Sequence, residues 1–264
     1  GLKDLKEGRI KFIGDSKKRI KEDFLRILRY FRFYAYYGKN NIEKNQINTF
    51  KNLSSNLKKL SSERLYYEFE KILLSNNAYK VIKLMQNSGV LKYIIFNKNY
   101  IERIKSLNKF NKINHLIDFS TRLAIILNKK NLLKVSRNLK LSKAENYKIN
   151  KLMQQNKSFN FKDFEKNKSK YVYYYGHEML QSLLIYNFFK GTSNSKLQKY
   201  LRIIYSVKNL KIPNFQIFGK DIIRLGIKPG PKIGKLIKLI ESWWILNNFK
   251  PSKKECLKKL EELI

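Results

Sequence analysis

The chain has 264 residues, with 57 Lys and Arg against 20 Asp and Glu for a net charge of +37, and 43% of its side chains are hydrophobic. That apolar share excludes wholesale disorder; the lone cysteine, Cys256, excludes an internal disulfide and a cysteine zinc site; and two histidines exclude a His-rich metal centre. With 11 Gly and 4 Pro the sequence is poor in turns, which points to an all-α fold. The charge points first to nucleic acid, because phosphate binding grows with the cations that displace counterions, with compositional drift toward Lys, Asn and Ile as the alternative. No membrane partner is expected: no apolar run reaches the ~18 residues of a span, and the lysines are not gathered on one amphipathic face. The N-terminus has no signal-peptide pattern, so a cytoplasmic location is expected.

In chain order, residues 8–14 alternate apolar and polar between two glycines and predict one short strand. A lone strand needs a sheet, and no second good strand follows. Asp15 or Ser16 caps a helix expected to run unbroken to about residue 37 and to stop at Gly38. Residues 40–60 predict a short helix with loops, Ser62 caps a helix over 63–74, and 78–87 form another before Gly89. Helical patterns follow over 99–110, 113–128 and 129–139, and Ser142 with Glu145 spells a capping box for a helix to about 156. Residues 157–169 read as a linker or long loop, and 171–190 as a buried helix ended by the break at 191–194. After a helix over 196–207, a loop around Pro213 leads to a short helix over 220–225, a turn over 226–231 and a helix to about 248. A second capping box, Ser252 and Glu255, opens the last helix.

The densest constellation is Arg19, Glu22, Asp23, Arg26, Leu28, Arg29, Arg32 and Phe33. On one continuous helix Asp23 and Arg26 would stand ~60° apart. A carboxylate that accepts beside a guanidinium that donates a rigid fork can match the edge of a base; the plainer alternative is a surface i,i+3 ion pair. Lys228, Lys232 and Lys235 flank the turn at Gly230 and Pro231, which either opens a phosphate-holding helix N-terminus or is a plain corner. Aromatics at 171–175 either stack bases or pack a core. His115, His177 and Cys256 read as structural or surface residues.

Those eight residues fill the pattern Arg-x-x-Glu-Asp-x-x-Arg-x-Leu-Arg-x-x-Arg-Phe, which resembles the neck motif of the class II tRNA nucleotidyltransferase and bacterial poly(A) polymerase family. Gly1, Asp4 and Leu5 resemble the end of its Gly-Gly-x-x-Asp-Leu loop. Leu60, Glu63 and Arg64 resemble its Leu-Ser-x-Glu-Arg helix, and Phe218 to Asp221 with Pro229, Gly230, Pro231 and Gly234 resemble the tail of one branch. The stretch 95–210 carries no match.

The resemblance implies a helical neck (15–90), body (91–210) and tail (211–264), with residues 1–14 left from an α/β head that would precede Gly1. It implies CTP and ATP as substrates and tRNA or other RNA 3′ ends as partners. Asp23, Arg26, Arg29 and Arg32 would contact the nucleotide, with Glu22 and Arg19 in support. Glu63, Arg64, Lys228, Lys232 and Lys235 would contact RNA. No catalytic or metal-ligating residue is expected within the chain. Mg2+ would sit in the head, supplied in cis or in trans, so the chain alone is expected to be inactive. The alternatives are a non-catalytic helical RNA-binding protein and one half of a split enzyme. CCA addition, A-only or CC-only addition and polyadenylation are not separated.

Overall fold

The computed structural model describes residues 2–95, 104–105, 111–155, 159–191 and 197–264. Most of these are helical, and no strand occurs among them. The chain divides into two compact units: residues 1–158 with 182–201, and residues 159–181 with 202–264.

The first unit opens with helix α1 (Leu2–Glu7), and the strand expected over 8–14 is not formed. Its polar groups go to helices instead of a ladder. Arg9 N–H donates to Asp4 O, Lys39 N–H donates to Gly8 O, and Tyr30 Oη donates to Ile10 O at 3.1 Å. A strand needs neighbouring backbone to pair with, and these residues find side chains and turns. Gly8 sits at φ +65°, where an added Cβ would meet the Lys39 side chain at 2.5 Å.

The long helix expected over 15–37 is two helices, α2 (Ser16–Glu22) and α3 (Arg26–Tyr37). Asp15 caps α2, its Oδ1 accepting from Lys18 N–H at 2.6 Å. Asp23 breaks the run: it is extended (φ −152°, ψ 109°), and its Oδ1 accepts from Leu25 N–H at 3.1 Å. A short carboxylate that bonds backbone two residues on offers the chain an alternative to helix.

Next come α4 (Lys44–Leu53), a 3-10 turn (Ser54–Lys59), α5 (Ser62–Leu74) and α6 (Ala78–Asn87). The N-cap of α5 is Ser61, one residue before the expected Ser62. α3 packs on α5 and α6, and α2 on α4. Their buried faces bring Ile20, Ile27, Leu28, Phe31, Phe50, Phe69, Ile72 and Met85 into one core.

Residues 99–110 lie outside the described residues apart from Ile104 and Lys105. The helix expected over 113–128 is instead a 3-10 turn (Asn111–Leu116) followed by α7 (Phe119–Ile126), capped by Asp118, whose Oδ1 accepts from Thr121 N–H. α8 (Lys129–Leu139) starts at the Asn128 cap. α9 (Lys143–Gln155) has the expected reciprocal box, with Ser142 N–H to Glu145 Oε2 at 2.8 Å and Glu145 N–H to Ser142 Oγ at 3.2 Å.

In the second unit, the expected linker contains α10 (Phe161–Lys166), because Asn160 Oδ1 accepts from both Lys162 and Asp163 N–H. α11 (Lys168–Gly191) bends at Gly176, which adopts φ 66° and ψ 174°. Residues 192–194 of the expected break lie outside the described residues. α12 (Leu197–Ser206) follows; the part of α11 from Ser182 and that of α12 up to Leu201 belong to the first unit, and the second continues with α13 (Gly219–Arg224), α14 (Pro231–Leu246) and α15 (Lys253–Glu261), the last with its Ser252/Glu255 box. α13 and α15 pack on α14 around Ile222, Leu236, Ile240, Trp244 and Cys256.

Candidate functional site

The break at Asp23 sets the site. It ends α2 on Glu22 and starts α3 on Arg26, so the two acids and the guanidinium gather at one corner instead of lying along one helix face. Glu22 is shared: Arg19 Nη1 donates to its Oε2 at 2.9 Å and Arg26 Nη1 to the same oxygen at 2.8 Å. Asp23 Oδ2 accepts from Arg64 Nη2 at 2.8 Å, a bond from the first turn of α5 across 41 residues of sequence. Asp23 and Arg26 thus do not pair with each other. Each is held by a different partner.

Nearly two turns along α3 from Arg26, Arg32 Nε donates to Glu68 Oε2 at 2.7 Å. The Glu68 side chain is 4% exposed and that of Arg32 20% exposed, so this pair is a buried anchor between α3 and α5. The Arg32 guanidinium also lies over the Phe33 ring at 4.6 Å. Arg29 differs from its neighbours: it is exposed and makes no side-chain ion pair or hydrogen bond among the described residues. It lines two grooves, one with Leu25, Arg32, Arg64 and Tyr67, the other with Phe12, Ile13, Arg19, Arg26 and Phe33.

Glu63 lines the first of these grooves and pairs with Lys140, whose Nζ donates at 2.5 Å. That hydrogen bond holds the Glu63 carboxyl below its ordinary range and raises the lysine. Lys228, Lys232 and Lys235 are exposed around the start of α14, where Gly230 is the N-cap and Pro231 opens the helix. They belong to the second unit and form no part of the Asp23 cluster. Of the aromatics at 171–175, Tyr171 Oη donates to Asp163 and packs edge-on against Phe164, while Tyr173 packs on Trp244. His177 Nε2 lies 2.7 Å from Leu210 O.

Arg122 escaped the sequence reading. It is 2% exposed, and its guanidinium donates to three backbone carbonyls, of Ile117, Leu73 and Asn114, at 2.9, 2.7 and 2.9 Å. Burial pulls its pKa down to about 10, and the carbonyls keep the cation satisfied. Tyr66 was also missed; it donates to Glu145 Oε1 at 2.8 Å, and burial together with that carboxylate pushes its hydroxyl up.

Among the described residues no three His, Cys, Asp or Glu side chains converge as a bound metal requires. No helix among the described residues is long and apolar enough to cross a membrane.

Residues 41–97 match the family described as a probable RNA and SrmB-binding site of polymerase A. The chain is 31% identical over 251 residues to the CCA-adding enzyme of Leuconostoc mesenteroides, covering 91% of this chain and 59% of that one. It is 28% identical over 280 residues to the human mitochondrial CCA tRNA nucleotidyltransferase 1, covering 99% of this chain and 60% of that one. It thus spans about 60% of the length of these relatives. In fold it is similar to the Bacillus stearothermophilus CCA-adding enzyme solved in complex with CTP, with a TM-score of 0.72 at 18% identity over 99% of this chain and 67% of that one. For the Thermotoga maritima CCA-adding enzyme complexed with tRNA the TM-score is 0.59 at 21% identity, over 98% and 65%. Its sequence aligns to CCA-adding enzymes over nearly its whole length and its helices follow their fold, so the chain is similar to the class II CCA-adding enzyme and poly(A) polymerase family.

Proposed function

We propose that this chain supplies nucleotide selection and RNA binding to a nucleotidyltransferase that extends RNA 3′ ends with CTP and ATP, in the CCA addition to tRNA that its relatives are named for or in polyadenylation. The observation that carries this reading is the corner at residues 22–26. There a carboxylate acceptor, Asp23, and a guanidinium donor, Arg26, are each fixed by a partner of opposite charge, Arg64 and Glu22. Fixed donors and acceptors recognise a base edge without first having to be ordered. Arg29 leaves its charge for the nucleotide, and Arg32 acts by anchoring α3 to α5 through Glu68. Residues 15–90 make up this neck, 91–210 the body and 211–264 the tail, where Lys228, Lys232 and Lys235 meet RNA phosphates. Phosphoryl transfer belongs to a head acting in cis or in trans, and none of its metal chemistry runs through these residues.

Fluorescence anisotropy of tRNA lacking its terminal CCA tests the RNA half of this reading. About six phosphates bound in single-strand-like fashion give a log–log salt slope of about −4. A flat response would leave the charge of +37 as composition alone. Incorporation of CMP and then AMP by the full-length protein, with a head present, tests the other half; tRNA binding with no incorporation would make the chain a non-catalytic RNA binder.

A further inference from the structure

Three pairings tie the Asp23 corner and α3 to α5. Asp23 meets Arg64, Arg32 meets Glu68, and Tyr36 Oη donates to Lys71 O at 3.2 Å. The two helices therefore run side by side in the same direction, and the seam between them starts at the Asp23 corner. From Arg64 to Lys71 it is seven residues long, or ~10 Å at about 1.5 Å per residue. That matches roughly three bases stacked at the ~3.4 Å repeat of a nucleic-acid strand.

The seam has an unusual lining. Its three acids are already neutralised: Asp23 by Arg64, Glu68 by Arg32 and Glu63 by Lys140. Arg29 and Lys71 face no carboxylate among the described residues, so the net charge of the seam is positive. Tyr67 lines one groove with Arg29 and is 52% exposed, with the Lys71 ammonium 3.9 Å from its ring centroid and 2.5 Å from its hydroxyl. Tyr36 continues the line and is also exposed. A large exposed aromatic fixed beside a cation is the chemistry that holds an unpaired base over its free π-face and the adjoining phosphate by charge. A duplex keeps its base faces stacked inside and cannot use it.

We propose that the α3–α5 seam is a track for single-stranded RNA, on which one base stacks against Tyr67 while Lys71 holds the adjoining phosphate. This rests on the RNA-binding reading above and adds to it the strandedness of the ligand and the place where it lies.

The test uses the full-length protein and two fluorescent probes, a single-stranded RNA hexamer and a hairpin duplex, at fixed salt. Tyr67→Ala is expected to weaken the hexamer roughly 5- to 150-fold, the range reported for losing one base–aromatic stack, and to change the hairpin less than twofold. Tyr67→Phe keeps the ring and should restore hexamer binding. Thermal melting accompanies each variant, so a folding defect shows itself as equal loss on both probes together with a lowered Tm. Unchanged hexamer binding by Tyr67→Ala overturns the proposal, as does an equal loss on both probes. If the Tyr67→Ala hexamer result is negative while the wild-type protein still shows steep salt dependence with tRNA, the track falls and the RNA-binding reading stands. If both are negative, the two fall together.

Discussion

Arg32→Met would strip the guanidinium from a carboxylate that has almost no access to water. Glu68 is 4% exposed and Arg32 20%, with 2.7 Å between Nε and Oε2. Removing one partner of a buried ion pair leaves an uncompensated charge, which costs roughly 3–5 kcal/mol. Because Arg32 keeps some solvent contact, the lower end applies, about 3 kcal/mol. For a unit of this size each kcal/mol lowers Tm by roughly 2–4 °C, giving ~6–12 °C. Glu68→Gln should cost less, about 1–2 kcal/mol, since the neutral amide still accepts from Arg32 and the guanidinium left without its carboxylate keeps some contact with water. The double variant Arg32→Met/Glu68→Gln should be more stable than Arg32→Met alone, with a coupling above ~1 kcal/mol in a double-mutant cycle. Urea denaturation of the four proteins measures this. An Arg32→Met variant within ~0.5 kcal/mol of wild type, or additive effects in the cycle, would show that the pair is not the anchor described.

Arg122→Met should destabilise the first unit by about 3 kcal/mol, because three buried carbonyls each lose a donor worth roughly 1 kcal/mol; chemical denaturation checks it, and loss below ~1 kcal/mol would contradict the tie. In the second unit, Asp221 takes Lys253 Nζ at 2.9 Å and Phe218 N–H at 2.9 Å, the lysine first, and its pKa is held below the ordinary value of 3.8. A depressed acid stabilises the fold fully above its unfolded pKa and loses that contribution as pH falls through the folded one. Asp221→Asn should therefore flatten the acid side of unfolding below about pH 4. Both tryptophans, Trp243 and Trp244, lie in this unit, so their fluorescence reports it; an unchanged acid limb would refute the assignment. Arg29→Ala should weaken CTP and ATP binding alike with little change in Tm, since that side chain supports no described contact; a large Tm loss would make it structural.

Local signals were legible where a few neighbouring residues decide the outcome. The boxes at Ser142/Glu145 and Ser252/Glu255 and the cap at Asp15 need only three residues each, and all three form. The eight-residue constellation around Asp23 pointed to the family from identity alone. The break within that constellation was not legible, because Asp23 sits in an otherwise helical pattern with no Gly or Pro, and its bond to Leu25 N–H competes only once Leu25 is buried. Partners far apart in sequence were likewise hidden. Asp23 with Arg64 and Arg122 with Leu73 and Asn114 depend on which helices pack together, and hydrophobic spacing does not encode that. The strand at 8–14 failed for a related reason: alternation marks a segment fit for a sheet, while the structure ties Ile10 O to the Tyr30 hydroxyl.

The most direct test of the account is the CTP-to-ATP discrimination of the full-length protein carrying Asp23→Ala, Arg26→Ala or Arg26→Lys, measured as the ratio of kcat/KM for the two nucleotides on tRNA lacking the residue to be added. Loss of a bidentate base contact costs roughly 1–3 kcal/mol, or about five- to 150-fold in discrimination, since ~1.4 kcal/mol is tenfold. The account predicts a shift of that size for all three variants, including Arg26→Lys, because an ammonium cannot reproduce the planar fork, with tRNA affinity little changed. Discrimination equal to wild type, accompanied only by a lower Tm, would contradict it and reduce Asp23 and Arg26 to the ion pairs they make with Arg64 and Glu22.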